Sequence, residues 1–156
     1  MYTATAVAKY VINRCNVRNS PITNLKLQKI LYYIQGYFFK YLGEAAFDDN
    51  IESWRYGPVV PSVYYEYCSY VSNEIQANYD LDDDVQKISK NKNDCKIIDR
   101  VVDACETLSA VALVNKTHQE APWANSHEDG LYSATVISTE SIRDFFENSN
   151  PLEVNI

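Results

Sequence analysis

The segment from Thr23 to Gly43 constrains the fold more than any other part of the chain. Its apolar residues recur at helical spacing and form one stripe: Leu27, Ile30, Leu31, Ile34, Phe38, Tyr41 and Leu42. Thr23 is a good N-cap residue, and Gly43 can end a helix in the left-handed conformation. The segment therefore predicts a helix of about five turns that has to bury its apolar stripe. Gly36 lies inside it, where glycine costs about 1 kcal/mol relative to alanine, and we expect close approach of another backbone there.

Other segments carry the same helical period. They are residues 4 to 16, the segment after Pro61, residues 97 to 113, which fit one bent helix or two short ones, and a last segment around Phe145. Residues 51–56 and 131–137 have the character of short strands. The sequence thus predicts a mainly α, compact, single-domain bundle of about five or six helices, and it allows a small β element near residues 51–56 and 131–137.

The predicted domain covers residues 1–148, and residues 149–156 form a C-terminal tail without an assigned structure. Within the domain, residues 72–93 are polar and contain a cluster of aspartates. We expect this segment to be a mobile connection, because it lacks the apolar period of a packed helix.

Charge and composition narrow the classes of function. The net charge of -7 repels phosphate backbones and anionic membranes, so neither nucleic acid nor a membrane is an expected partner, whereas a basic protein is attracted. No apolar run reaches the about 20 residues of a membrane helix, and no secretory signal is recognisable, so we expect a cytoplasmic protein. The four cysteines form no C-x-x-C pair and are expected to be buried free thiols.

Residues for catalysis or metal binding are sparse. His118 and His127 are the two histidines, and neither has the spacing of a metal site. The four glycines are too scattered for a phosphate-binding loop, so no cofactor is predicted. His118 and Glu120 are two residues apart and would point to different sides of a helix. We therefore expect a protein that is not an enzyme, while an enzyme that uses His118 stays open as an alternative.

Two segments contain residues that need specific partners, residues 54–58 and residues 118–123. Arg55 stands between two aromatic residues and, if buried, has to contact a carboxylate, a carbonyl or an aromatic face. One interpretation is architectural, with His118 bridging two segments and Trp123 filling the core. The other is that these residues line a recognition groove, because Trp, Tyr and Arg are enriched among binding hot spots.

Three blocks of sequence stand out in order along the chain. The first block runs from Ile22 to Tyr33 and continues with Gln35, Gly36 and Tyr37; the second runs from Ile51 to Pro61 and includes Trp54, Arg55, Tyr56, Gly57 and Pro58; the third contains Leu108, Ser109 and Leu113 and ends with His118, Glu120, Pro122 and Trp123. Together they resemble the Panacea antitoxin domain family, also described as SocA-like. The order of the three blocks makes the resemblance specific. This chain departs from the family pattern at two places. Cys105-Glu106 stands where an aromatic-Gly pair is frequent, and the segment 72–93 is longer and more acidic than is typical of the family.

The resemblance implies a helical antitoxin that neutralises a cognate protein toxin by direct contact in a toxin-antitoxin system. It places the protein in a bacterial cell, with a bacterial, phage or prophage gene. Some family members instead resemble proteolytic adaptors, which deliver a toxin to an ATP-dependent protease or its unfoldase. The C-terminal Leu152, Val154 and Ile156 are candidates for such a contact.

The blocks shared by a family whose partners differ are better candidates for scaffold than for the toxin-binding face. Thirteen tyrosines are present, and those that follow Pro61 cannot all face inward from one helix. We therefore predict that the toxin is bound by exposed tyrosines and by the acidic cluster. The predicted binding residues are Tyr64, Tyr65, Tyr70, Asp82, Asp83 and Asp84.

Overall fold

The computed structural model describes residues 1–130 and 134–156, and this part of the chain is mainly helical, as predicted. The helices are α1 (Ala4–Val17), α2 (Asn24–Leu42), α3 (Pro61–Tyr67), α4 (Asp83–Lys90), α5 (Lys92–Glu106), α6 (Ala110–His118), α7 (Ala121–Ala124) and α8 (Thr139–Asn148). A single 3-10 turn, Cys68–Tyr70, follows α3. The described residues thus form eight α-helices, more than the predicted five or six, mainly because α4 and α7 add to the count.

The small β element is present as a three-stranded antiparallel sheet. Its strands are β1 (Glu52–Trp54), β2 (Gly57–Val59) and β3 (Thr135–Val136), in the order β2-β1-β3. Strand β3 lies within the strand predicted over 131–137. The first three residues of that prediction, 131–133, lie outside the described residues. No helix among the described residues is long and apolar enough to span a membrane.

Helix α2 is the centre of the fold, and its ends form as the sequence predicts. The Thr23 side chain accepts a hydrogen bond from the Lys26 amide, and Gly43 has a φ of 71°. Every residue from Leu27 to Phe39 is buried, because α1, α5, α6, α8 and the sheet cover all sides of the helix. This is why polar residues on α2 lie inside the protein and need internal partners.

The close approach at Gly36 comes from a side chain and not from a backbone. A Cβ atom at Gly36 would lie 2.3 Å from the ring of Phe146 on α8. That ring also packs edge-to-face against Tyr32 and Tyr37. The expectation of a backbone contact was therefore wrong, and the glycine makes room for an aromatic ring.

The segment 72–93 is not an irregular connection throughout, because α4 occupies Asp83–Lys90. The Asp82 carboxylate caps this helix by accepting from the Asp84 and Val85 amides, and it pairs with Lys9 of α1 at 2.8 Å. Val85 and Ile88 are buried. Their spacing of three residues is the helical signal that the polar composition conceals.

The C-terminal tail also packs against the domain. The Tyr37 hydroxyl donates to Asn150 Oδ1 at 2.7 Å and accepts from the Leu152 amide, and the Tyr41 hydroxyl donates to the Val154 carbonyl. Val154 is 4% exposed. Residues 150–154 are therefore held against α2 and are not a free extension.

The cysteines do not all follow the prediction of buried thiols. Cys15 and Cys105 are buried, Cys95 is half-buried, and Cys68 is exposed at the start of the 3-10 turn. All four are free thiols. Burial raises the pKa of the Cys15 thiol to about 11 and that of the Cys105 thiol to about 12, so both are protonated at neutral pH.

Candidate partner-binding groove

Strands β1 and β2 form a hairpin whose tip is the two-residue turn Arg55-Tyr56. Trp54 pairs with Gly57 across the hairpin, and Gly57 has a φ of 100°. A Cβ atom at Gly57 would lie 2.7 Å from Lys29 Cε and 2.8 Å from Thr117 Oγ1. Glycine is required here both by the backbone conformation and by the close packing of α2 and α6.

Side chains of α2 occupy the outer edge of β2, where a further strand would otherwise pair. Lys29 Nζ donates to the Pro58 carbonyl at 2.7 Å, and Gln28 Oε1 accepts from the Val60 amide at 2.8 Å. Gln28 is in turn oriented by Asn24, whose Oδ1 accepts from Gln28 Nε2. These hydrogen bonds satisfy the Pro58 carbonyl and the Val60 amide, and they attach the hairpin to α2.

Lys29 is unusual because its side chain is 0% exposed. Burial lowers its pKa to about 7, since the protein interior disfavours the ammonium form. The Pro58 carbonyl is its hydrogen-bond acceptor. The amine therefore changes charge near neutral pH while it holds the hairpin.

Three stacked rings hold the other side of the hairpin. His118 stacks on Trp123 with ring centroids 3.9 Å apart, and Trp123 stacks on His127 at 4.3 Å. Trp123 Nε1 donates to the carbonyl of Trp54 at 2.8 Å, and His127 Nδ1 lies 3.0 Å from the carbonyl of Ser53.

The His118 ring lies at the next carbonyl along the hairpin, that of Arg55. Burial lowers the pKa of His118, and the Arg55 carbonyl opposes that shift. Trp123 and His127 therefore bond to two consecutive carbonyls of the hairpin. The His118 ring lies near the third, although its Nε2 has no hydrogen-bond partner among the described residues. We call the three rings the ring stack. The architectural interpretation expected Trp123 to fill the core. Its side chain is instead half-buried in the ring stack and packs against the core from outside.

Glu120 lies apart from the ring stack, although it is two residues from His118. Its Oε1 accepts from the Tyr33 hydroxyl at 2.8 Å in the core beside α2. Burial raises its pKa to about 7, partly opposed by Tyr33 and by the nearby Tyr32 hydroxyl, which does not reach hydrogen-bonding geometry. His118 and Glu120 thus have different neighbours, and no shared site forms between them. No cluster of acids, histidines or cysteines among the described residues could hold a metal ion.

An open groove lies between the hairpin tip, the first turn of α2, and α3 with its 3-10 turn. Its cavity volume is about 780 Å³, and its lining is mostly apolar. The hairpin contributes Trp54, Arg55 and Tyr56, α3 contributes Tyr64, and the segment after the 3-10 turn contributes Val71. This volume lies within the range of about 300–1,000 Å³ that is typical of binding pockets.

Aromatic side chains continue from the groove onto the surface. Trp54, Tyr64 and Tyr65 pack edge-to-face, with centroid distances of 4.9 to 6.2 Å. Tyr56 is 57% exposed at the hairpin tip, and Tyr65 is 65% exposed beside it. Large apolar side chains grouped on a surface in this way are typical of interaction sites.

Val71 adds a strained residue to the same rim. Its φ of 55° and ψ of -113° lie in a region that β-branched residues avoid, and its side chain is 77% exposed. Such strain costs about 1–3 kcal/mol and concentrates at functional sites.

Arg55 is exposed at the hairpin tip, and of the expected kinds of partner it contacts an aromatic face. Its guanidinium lies 5.4 Å from the centre of the Tyr56 ring, and no carboxylate among the described residues pairs with it. The nearby acid of the hairpin, Glu52, instead accepts from Trp54 Nε1 at 2.6 Å. The cation is therefore available at the mouth of the groove.

The structure divides the predicted binding residues between separate places. Tyr64 lines the groove, and Tyr65 lies next to it. Tyr70 packs against Tyr67, and its hydroxyl donates to the Gln76 carbonyl. The aspartates 82–84 lie at the N-terminus of α4, outside the groove lining. The Trp-Arg-Tyr motif of the hairpin reaches the groove only because the turn reverses the chain there, which spacing along the sequence does not reveal.

Comparison with known proteins defines the class. The model of the antitoxin SocA-like, Panacea domain family matches residues 27–124, more than half of the chain, and the chain belongs to that family. The matched region contains most of α2, the hairpin and α3, together with α6 and α7, which carry most of the ring stack.

The chain is also similar to one individual protein. The chain is 39% identical over 61 residues to a protein of Caulobacter vibrioides (strain NA1000 / CB15N) described as antitoxin SocA. The matching stretch is 39% of this chain and 32% of that protein, so the similarity spans about a third of the relative's length. No solved structure matches the chain.

Proposed function

We propose that this chain is an antitoxin that neutralises a cognate protein toxin by direct binding, in the cytoplasm of a bacterial cell. Family membership supports the antitoxin role, and the groove beside the hairpin carries the proposal of direct contact. The groove combines Trp, Tyr and Arg side chains, which dominate binding energies when a partner buries them. No catalytic step is needed.

The toxin contacts are proposed to centre on Tyr56, Tyr64 and Tyr65. Two of these side chains are more than half exposed, and Tyr64 lines the cavity. A rigid hairpin presents Tyr56, because α2 fixes one of its sides and the ring stack fixes the other. Pre-organised aromatic side chains bind with little loss of conformational entropy.

The acidic surface is proposed to act at longer range. The net charge of -7 and the exposed Asp83 and Asp84 attract a basic toxin and raise the association rate. Asp82 contributes less, because Lys9 pairs with it. Tyr70 stays a candidate contact, although its hydroxyl is already bonded to the Gln76 carbonyl.

The proposal is tested by co-expressing the chain with the product of the neighbouring gene and scoring bacterial growth and copurification. We expect growth rescue and a stable complex. The Tyr56→Ala and Tyr65→Ala variants should lose both while keeping the circular dichroism spectrum of the wild type. Leu81→Ala serves as the control, because Leu81 is 94% exposed and lies outside the groove lining.

Each other outcome has a defined meaning. A neighbouring product that is not toxic, or a toxin that is not neutralised, contradicts the antitoxin proposal. Rescue that survives both tyrosine substitutions rejects the groove as the binding surface. Rescue in which the toxin disappears from the cell, rather than copurifying, supports the proteolytic adaptor. Of the three C-terminal candidates for that contact, Leu152 and Val154 pack against the domain, and Ile156 is exposed.

A further inference from the structure

We infer that the groove binds a segment of the toxin in which apolar side chains stand next to a carboxylate, and that Arg55 pairs with that carboxylate. The inference rests on the proposed function and adds the chemistry of the bound segment. Two properties of the lining carry it: the apolar character of the cavity, and one cation that pairs with no acid in the part of the chain that the structure describes.

Most polar side chains that line the groove are already bonded within the protein. Asn24 donates to the Tyr64 carbonyl, Gln28 binds the Val60 amide, and Thr23 accepts from the Lys26 amide. These side chains stabilise the walls of the groove, and their internal hydrogen bonds leave them little capacity to bind a ligand. A bound segment therefore gains most by burying apolar side chains against Tyr56, Tyr64 and Val71.

Arg55 supplies the polar specificity. Among the described residues, it is the one charged residue that lines the cavity, and none of their acids pairs with it. Arg14 and Arg18 both pair with Asp103, whereas the other two arginines, like Arg55, form no ion pair among the described residues. A guanidinium at the mouth of an apolar cavity favours a carboxylate, which it can bind through two parallel hydrogen bonds.

Long-range attraction and local pairing select different features of the toxin. The net charge of -7 acts over the whole surface and favours a basic toxin, whereas Arg55 acts within a few ångströms inside the contact. When a bound segment covers Arg55, an opposing basic side chain would be desolvated next to a like charge. The groove is therefore selective for an acidic group even if the toxin as a whole is basic.

The test uses a displayed library of random 12-residue peptides, selected against the wild type, Arg55→Gln and Arg55→Glu. We expect the wild type to enrich peptides in which two or more aromatic or aliphatic residues flank Asp or Glu. Arg55→Gln should lose the acidic preference, and Arg55→Glu should replace it with Lys or Arg. Arg100→Glu is the matched control, because Arg100 is exposed on α5 and does not line the groove.

A synthetic peptide from the wild-type selection should bind Arg55→Glu at least about tenfold more weakly than the wild type, measured by fluorescence anisotropy. The Arg100→Glu control should bind it as the wild type does. Exchanging the peptide's acid for lysine should restore binding to Arg55→Glu. The inference is overturned if no peptide is enriched, if the acidic preference survives Arg55→Glu, or if binding survives Tyr56→Ala.

Failure of the inference can be separated from failure of the proposed function. If Arg55→Glu still neutralises and copurifies with the toxin as the wild type does, the antitoxin proposal stands and the acidic-segment inference falls. If the wild type itself does not neutralise the toxin, the antitoxin proposal falls. A dimer in sedimentation equilibrium that Tyr56→Ala dissociates would identify a second copy of this chain as the occupant and also overturn the inference.

Discussion

Replacing Lys29 with methionine is expected to remove a rise in stability with pH. The folded-state pKa of Lys29 is lowered from 10.5 to about 7, because the amine is buried beside the Pro58 carbonyl. Between pH 7 and 10.5 the unfolded chain therefore binds more protons than the folded chain. The free energy of unfolding must rise with pH over that range, since stability increases wherever the unfolded state holds the extra proton.

The size of the effect follows from the two pKa values. Between pH 7 and 8.5, Lys29 should add about 1.6 kcal/mol to the free energy of unfolding. Glu120 opposes it, because its folded-state pKa is raised to about 7 and its stabilising contribution is lost as the pH rises through that value. The loss above pH 7 is about 0.4 kcal/mol. Cys15 and Cys105 titrate mostly at higher pH, so this window isolates the lysine best.

The assay is urea unfolding at half-unit steps from pH 7.0 to 8.5 under reducing conditions, followed by tryptophan fluorescence. The difference between wild type and Lys29→Met should change by about 1.6 kcal/mol across the window. At pH 7 we expect the variant to be about as stable as the wild type, because losing the buried amine offsets the unpaired Pro58 carbonyl. Lys96→Met, at an exposed position, should keep the wild-type slope. A Lys29→Met variant with the same slope as the wild type would refute the buried-amine interpretation.

Three further outcomes follow from the packing. Gly36→Ala should lower the free energy of unfolding by about 1–3 kcal/mol or more in urea titrations, because its Cβ would overlap the Phe146 ring, whereas Gly130→Ala, with open space around it, should not. Trp123→Phe keeps an aromatic ring but loses the bond to the hairpin, and should cost about 0.5–1.5 kcal/mol in the same assay. Val71→Gly should relieve backbone strain, so the variant should unfold at a higher temperature than is usual for a valine-to-glycine change. Its affinity for the toxin should fall, and titration calorimetry can measure that loss.

The elements that the sequence predicted best are those with local signals. Helices α1 and α2 have an N-cap threonine and an apolar stripe, and α2 also has a terminal glycine. Such features depend on residues within a turn or two of one another, so they can be recognised in the amino-acid sequence alone. Helix α4 was missed because a run of aspartates and lysines conceals two apolar residues, and it becomes helical against α1.

The candidate site was predicted less well, because its parts come from distant segments. The sequence singled out the residues of the hairpin and of the ring stack as needing partners. It did not show that His118, Trp123 and His127 stack in one column, or that Trp123 and His127 bond to consecutive carbonyls of the hairpin. Those relations arise from packing between segments about 70 residues apart, where loop geometry decides which side chains meet.

The sequence by itself determined the helical class of the fold, the central helix and the family, because periodicity, capping residues and ordered motifs are local properties of the chain. The tertiary structure alone decided which residues are exposed. The sequence left the burial of Arg55 open, and the structure places it at an exposed turn. Lys29 was noted only as part of a motif, and it is fully buried. The physical reason is that burial depends on the elements that cover a residue, and α2 is covered on every side while the hairpin tip reaches past its neighbours into solvent.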